Sequence, residues 1–224
     1  ALNEKNEPLW EDKHTFEELE QIRQANRYNF SGQYMQTPSP EEGGEWRKDW
    51  FKIVNRNDVP DVEWDMFIDG AYTKDTKNDP TGIQISCKHN NEYYIYSSID
   101  KYLELPELIR FIPEHLKALG IRTRIIKVEP KASGKSIVQL IKEQTRLNIA
   151  EIKSDFVNMS KIERARMASP YIEGGRVKLI KGSWNEPFLN QIAMFPNAKH
   201  DEHIDLTCYG IEDNLMNNFN IELR

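Results

Sequence analysis

Hydrophobic and polar residues recur along the chain with two different periods. Short apolar or alternating runs predict strands at Trp64–Tyr72, Gly82–Lys88, Tyr93–Ile99, Arg124–Glu129, Ile149–Ile152 and Arg176–Ile180. Apolar residues spaced every three or four positions predict helices at Phe16–Tyr28, Leu105–Leu119, Ser136–Gln144, Lys161–Ala168, Glu186–Met194 and His203–Asn214. Three successive strands followed by alternating helices and strands indicate an α/β fold with a mixed sheet.

The first part of the chain is more polar than the rest. The segment Gln33–Pro40 and the Glu-Glu-Gly-Gly run after it concentrate residues that break regular structure. We therefore expect residues 1–54 to form an extension or linker, and residues 55–224 to form the folded domain.

Composition narrows the class of protein. Of the 224 residues, 38% are hydrophobic and 29% are charged, and no apolar run approaches the roughly 20 residues that cross a bilayer. The net charge of −6 disfavours a protein that binds DNA through a generally basic surface. A local basic strip that contacts phosphates remains compatible with this net charge. Cys87 and Cys208 lack metal-ligand spacing, so we expect buried free thiols in a reducing compartment.

Acidic residues occur at three places where they could bind a metal ion or act in catalysis. Asp69 and Glu129 each end an apolar strand, and Asp201, Glu202 and Asp205 crowd the start of the last helix. An acid at the end of a buried strand is costly unless it reaches solvent, a partner or a metal. Mg²⁺ and Mn²⁺ prefer such oxygen ligands. Turn chemistry at Asp69 and helix capping at Asp201 and Glu202 are the structural alternatives.

Basic residues near these acids are candidates for holding a nucleic-acid backbone: Lys131, Lys135, Lys161, Arg164 and Arg166. The segment Ala132–Ser136 superficially matches a phosphate-binding loop, but that motif requires a glycine where this chain has Glu129. We therefore exclude nucleotide binding by this segment. His200 and His203 flank the last acids and are candidates for a metal ligand or for a residue that orients one.

Several motifs occur in an order that resembles the large terminases of tailed bacteriophages. The segment Gln33–Pro38 resembles the stretch after their ATPase motor, and Phe67–Tyr72 with Asp79–Gly82 resembles the first strand and hairpin of their nuclease domain. The remaining similar segments are Val128–Gly134, Ser160–Ala165, Tyr171–Val177 and Phe195–Asp205. In the last of these motifs the family has two adjacent Asp residues, and here Glu202 replaces the second.

The resemblance implies a ribonuclease H-like fold and an endonuclease that cuts double-stranded DNA with two Mg²⁺ or Mn²⁺ ions. It implies that Asp69 and Glu129 ligate metal and that Asp201, Glu202 or Asp205 completes the site. It further implies that the protein acts in the host bacterial cytoplasm and has no membrane partner. Its expected protein partners are a portal, a small terminase subunit and an ATPase domain outside this chain. Alternatives are a related nuclease such as a junction resolvase, or a non-enzymatic packaging domain that docks on other components.

Overall fold

The structure is a computed structural model that describes residues 8–10, 13–25, 45–59, 61–70, 72, 79–130, 132–153, 155–198 and 200–216; of residues 23–25, 132–137 and 155 it describes the backbone alone. The chain divides into two compact units, Ala1–Gly44 and Glu45–Arg224. The first unit contains helix α1, Phe16–Ala25. The Gln33–Pro38 motif and Lys131 lie outside the described residues, as does the side chain of Lys135.

The second unit contains a seven-stranded sheet and five α-helices within the described part. The strands are β1 (Lys52–Val54), β2 (Trp64–Asp69), β3 (Thr81–His89), β4 (Glu92–Lys101), β5 (Thr123–Val128), β6 (Ile149–Glu151) and β7 (Val177–Ile180). The helices are α2 (Leu105–Leu119), α3 (Ala132–Gln144), α4 (Lys161–Glu173), α5 (Asn185–Met194) and α6 (Glu202–Ile211), with a π-helical turn at Glu212–Met216.

The strand order is β1-β7-β4-β3-β2-β5-β6. β3 pairs antiparallel with both β2 and β4, whereas the other neighbouring strands pair in parallel. The expected α/β class with a mixed sheet is therefore confirmed. Because β2 and β5 are parallel neighbours, their carboxyl ends lie side by side at one edge of the sheet.

Alternation along β2 assigns its side chains to two cores. Met66 and Ile68 join the core that α2 and α3 cover, through residues such as Leu108 and Ile141. Phe67 joins the opposite core, which α4, α5 and α6 cover. Because side chains of a strand alternate between faces, Asp69 lies on the same face as Phe67. This face positions the candidate site.

The compact unit begins earlier than the expected boundary at residue 54. Lys52–Val54 form β1, which pairs in parallel with β7 at one edge of the sheet. Trp46 is fully buried in the α4–α6 core, where its indole nitrogen donates to the carbonyl of Ala165 at 2.9 Å. Residues 45–54 therefore belong to the folded domain. That the first residues lead from an ATPase motor stays a prediction.

Several local expectations agree with the structure. Gly120 follows α2 with φ of +63°, the left-handed conformation expected of a glycine that ends a helix. Cys87 and Cys208 are buried free thiols. Ala132–Ser136 form the first residues of α3. Among the described helices, none is long and apolar enough to cross a membrane.

Candidate metal centre

Strand register brings Asp69 and Glu129 together. In the β2–β5 pair Ile68 lies opposite Val128, and the amide of Glu129 donates to the carbonyl of Ile68 at 3.0 Å. The next residue of the chain after each of these is an acid, so the backbones of Asp69 and Glu129 lie side by side at the spacing of neighbouring strands, about 4.8 Å. Both are buried. Two carboxylates that are far apart in the sequence thus occupy adjacent strand ends.

Glu202 reaches the same place from the other side of Asp69. Gly82 pairs with Asp69 in the β2–β3 ladder, and α6 begins directly over this glycine. A Cβ atom at Gly82 would lie 2.8 Å from Cβ of Glu202 and 2.9 Å from Cδ1 of Leu206. Only glycine therefore allows α6 to approach the sheet closely enough to bring Cβ of Glu202 against the position that pairs with Asp69.

Asp100 extends the acidic row that Glu129, Asp69 and Glu202 form along this face of the sheet, although no sequence pattern indicated it. It lies opposite Gly82 in the β3–β4 ladder, so it follows Asp69 and Gly82 along the sheet and shares their face. Burial raises its pKa to about 6, while a hydrogen bond from Gln191 acts in the opposite direction. Asp100 thus places a further acid on the β4 side of the site.

The carboxylate of Glu202 carries an electrostatic cost. Burial, followed by the charges of Asp100, Asp201 and Asp79, raises its pKa to about 7. Its Oε2 atom is buried and has no hydrogen-bond partner among the described residues. A bound cation would offset this cost, so the donors present fit a divalent metal.

Asp205 is engaged differently from the other acids. Arg164 donates to its Oδ1 atom, and Nζ of Lys161 lies 3.3 Å from its Oδ2 atom. With both oxygens occupied, Asp205 forms an internal ion pair, which argues against the expected role of a metal ligand. Asp201 precedes α6 and pairs with Lys161, so it lies at the rim of the site.

The basic candidates divide by exposure. Arg164 is buried, and its guanidinium contacts Asp205, Tyr209 and the carbonyl of Phe156. This argues against the expected contact with DNA, because a buried guanidinium with three internal acceptors does not face a phosphate. Lys161 is half-exposed at the rim, and Arg166 is exposed and paired with Glu45 at 2.9 Å. Both remain candidate phosphate contacts.

Tyr209 connects the Arg164–Asp205 pair to Glu129. Its hydroxyl donates to Oε1 of Glu129 at 2.7 Å and accepts from Nη1 of Arg164 at 3.1 Å. Burial and the hydrogen bond to Glu129 raise the pKa of Tyr209, which keeps the hydroxyl protonated and able to donate. Residues of α4 and α6 thereby hold Glu129 in one orientation.

Removing this hydroxyl should weaken the protein measurably. In a Tyr209→Phe variant, Glu129 and Arg164 each lose one buried hydrogen bond, so we expect the free energy of unfolding to fall by about 1–3 kcal/mol. Urea unfolding of wild type and variant measures the change. Tyr94→Phe is the matched control, because the Tyr94 hydroxyl bonds Glu92 in a part-buried position, and it should cost less. Equal losses in the two variants would contradict a special role for Tyr209.

The two histidines near the acids have different environments. His203 is buried, with Nδ1 2.9 Å from Oγ of Ser98 and Nε2 3.4 Å from Oδ2 of Asp100, and burial lowers its pKa to about 4. His200 is part-exposed, and its Nδ1 atom lies 3.6 Å from Asp79 and 3.9 Å from Glu202. Both ring nitrogens of His203 thus contact buried or part-buried side chains of the fold, whereas the ring of His200 lies near Asp79 and Glu202.

The sequence matches a known family model. The model described as a terminase RNase H-like domain matches residues 68–211, which include Asp69, Glu129 and Glu202. The chain belongs to this terminase family. The expected ribonuclease H-like fold and the resemblance to terminase nuclease domains are confirmed. A comparison with curated protein sequences gave no significant match.

Solved terminase structures share the fold at low sequence identity. A large terminase from a thermophilic bacteriophage aligns with a TM-score of 0.57 and 11% identity over 88% of this chain and 51% of its own. The large terminase nuclease of thermophilic phage G20c, with bound magnesium, aligns with a TM-score of 0.54 and 11% identity over 78% of this chain and 100% of its own. The P22 large terminase nuclease domain aligns with a TM-score of 0.55 and 13% identity over 79% of this chain and 94% of its own. This terminase chain thus spans about half the length of the first of these proteins. Its matches to the two isolated nuclease domains cover nearly the whole length of those domains.

Proposed function

We propose that this chain is the nuclease domain of a tailed-phage large terminase and that it cuts double-stranded viral DNA concatemers during genome packaging. The observation that carries the proposal is that three buried acids occupy neighbouring positions on one face of the sheet. Asp69 and Glu129 end neighbouring parallel strands, and Glu202 lies over Gly82 on the other side of Asp69. The family model and the fold of the G20c nuclease, which was solved with magnesium, support it.

Asp69, Glu129 and Glu202 are the residues that would hold the metal, with Asp201 at the rim. When bound, two Mg²⁺ or Mn²⁺ ions supply the Lewis acidity that activates a water and stabilises the departing 3′ oxygen. Asp69 occupies the middle of the acidic row and is placed to serve both sides of it. Tyr209 fixes the orientation of Glu129.

Phosphate contacts would come from the rim of the site. Lys161 already lies beside Asp201 and is half-exposed, and Arg166 is exposed further along α4. Surface ion pairs exchange readily for other partners, so a DNA phosphate can replace Asp201 or Glu45 as the counter-ion. Lys131 and Lys135 remain candidates on the sequence alone. We place this work in the host bacterial cytoplasm, with an ATPase motor domain, a portal and a small terminase subunit as partners.

Plasmid cleavage tests the proposal. The chain should nick and linearise supercoiled DNA with Mn²⁺ or Mg²⁺ and should leave it intact with EDTA. Asp69→Asn removes a charge from the middle of the acidic row, so we expect the cleavage rate to fall at least about 100-fold, since metal ligation contributes several kcal/mol. Asp61→Asn is the matched control, because Asp61 is exposed and pairs with Arg122 away from the row.

The alternatives give different results in the same assay. Unchanged cleavage by a folded Asp69→Asn protein would remove Asp69 from the site. A junction resolvase would cleave branched DNA in preference to linear duplex. A docking domain would show neither cleavage nor calorimetric Mn²⁺ binding under any condition.

A further inference from the structure

Two exposed lysines flank the acidic row on opposite sides. Lys101 is the last residue of β4, and Lys153 lies two residues after the end of β6. Within the described part of the chain neither of them has an ion-pair partner, whereas Lys127, Lys161 and Lys178 each contact a carboxylate. The ammonium groups of Lys101 and Lys153 are therefore available to an anion from solution.

Strand register places Lys101 just beyond the acidic row on the β4 side. The ladder runs from Asp69 through Gly82 to Asp100, and Lys101 is the next residue along β4. It pairs with Thr81, the first residue of β3. Because β4 runs towards the edge of the sheet that carries the acids, Lys101 lies one residue further out than Asp100, two strands from β2.

The β6 side of the row has the same arrangement. The amide of Ile152 donates to the carbonyl of Val128 at 2.8 Å, which sets Ile152 level with Glu129 across the β5–β6 pair. Lys153 is the next residue, and it lines a cavity with Tyr209, whose hydroxyl contacts Glu129. Lys153 therefore also lies one residue beyond the level of the acids and two strands from β2.

The spacing of the two lysines suits a duplex that crosses the strands. Lys101 and Lys153 are four strand spacings apart, about 19 Å, with Asp69 midway between them. Each strand of a duplex carries one phosphate per about 3.4 Å of axis, so this span corresponds to roughly five or six base steps. We propose that Lys101 and Lys153 hold the backbone of double-stranded DNA on either side of the acidic row, with the duplex axis running from β4 to β6. The inference rests on the proposed function, because it takes duplex DNA as the ligand.

This placement accounts for how an acidic chain holds a polyanion. The net charge of −6 repels DNA at long range. Two ammonium groups at the rim offset the repulsion where the duplex passes, and each phosphate that they contact releases condensed counter-ions. Phosphate contacts carry no sequence information, so the two lysines position the duplex over Asp69 without selecting a base sequence.

The salt dependence of duplex binding tests the two contacts. Fluorescence anisotropy of a labelled duplex, in Ca²⁺ to occupy the carboxylates, gives the slope of log affinity against log salt concentration. Lys101→Gln and Lys153→Gln should each reduce this slope by about 0.9, and the double variant by about 1.8, because sites this far apart act independently. Lys101→Arg and Lys153→Arg keep the charge and should retain the wild-type slope. The matched control is Lys52→Gln, an exposed lysine that begins β1 at the opposite end of the strands, and it should leave the slope unchanged.

Each other outcome counts against the arrangement or against the nuclease. An unchanged slope in either single Gln variant, or a wild type that binds no duplex, overturns the paired contacts. A loss of slope in Lys52→Gln equal to that in Lys101→Gln would mean that surface lysines contribute regardless of position, and it too overturns the inference. Reduced slopes without plasmid cleavage in Mn²⁺ would support the contacts and reject the nuclease, whereas cleavage with unchanged slopes would do the reverse.

Discussion

Arg164→Met should lower the free energy of unfolding by about 3–5 kcal/mol, because it leaves the charge of Asp205 buried with one partner fewer. Arg164 is 6% exposed and Asp205 is 2% exposed at the side chain. The change also removes the donors to Tyr209 and to the carbonyl of Phe156. Lys161 remains 3.3 Å from Asp205, which favours the lower end of the range. Urea unfolding gives the value.

Two further variants separate an internal role from a DNA contact. Arg166→Met alters an exposed arginine on the same helix, and it should leave the unfolding midpoint close to that of wild type. Adding Asp205→Asn to Arg164→Met removes the uncompensated charge and should recover part of the lost stability. A stable Arg164→Met protein with weakened DNA affinity would instead restore the sequence-based assignment of Arg164 as a phosphate contact.

The fold was largely predictable because the signals for its strands and helices are local. Apolar runs in β2 and β5 each stop at an acid, and an acid that ends a buried strand requires a partner, so the pattern alone indicates Asp69 and Glu129. Parallel pairing of the two strands, which the α/β order implies, then suffices to bring them together. β1 escaped prediction because Lys52–Val54 is only three residues long and lies at an edge, where exposure removes the apolar pattern.

Asp100 could not be placed from the sequence because of one extra residue in a strand. Counting outward from the turn at Asn90 and Asn91, where His89 pairs with Glu92, puts Ile99 opposite Gly82. A register shift between Ile85 and Ser86 moves the pairing by one residue, so Asp100 takes that position. Since a shift of one residue reverses which face a side chain occupies, the bulge alone brings Asp100 to the acidic row.

The roles of the helix residues depend on tertiary contacts that spacing does not encode. Asp201, Glu202 and Asp205 share the start of α6, and sequence spacing could not rank them as ligands. The structure separates them by their neighbours: Lys161 beside Asp201, Gly82 beneath Glu202, and Arg164 against Asp205. On the sequence alone Arg164 was a candidate surface residue, but its contact with Asp205 makes it a buried counter-ion.

Glu202→Gln should stabilise the metal-free protein at pH 8 and reduce its response to metal. The folded-state pKa of Glu202 is about 7, against an ordinary value of 4.5, so ionisation is disfavoured in the fold. The penalty is absent below pH 4.5, grows as pH rises and is fully present above pH 7. The difference in pKa corresponds to ~3 kcal/mol, which a neutral isostere should regain at about pH 8 and not at about pH 4.5.

Urea unfolding in EDTA at the two pH values measures this gain, and repeating it with Mn²⁺ measures the cost of the substitution. Metal that binds the folded state alone stabilises it by mass action, so Mn²⁺ should raise the unfolding midpoint of wild type more than that of Glu202→Gln. Glu186→Gln, an exposed acid in the first turn of α5, is the matched control and should show neither effect. A Glu202→Gln protein no more stable than wild type at pH 8 would mean that the buried charge is already compensated. The opposite result would show that the site retains an energetically unfavourable carboxylate because only its charged form can hold a cation.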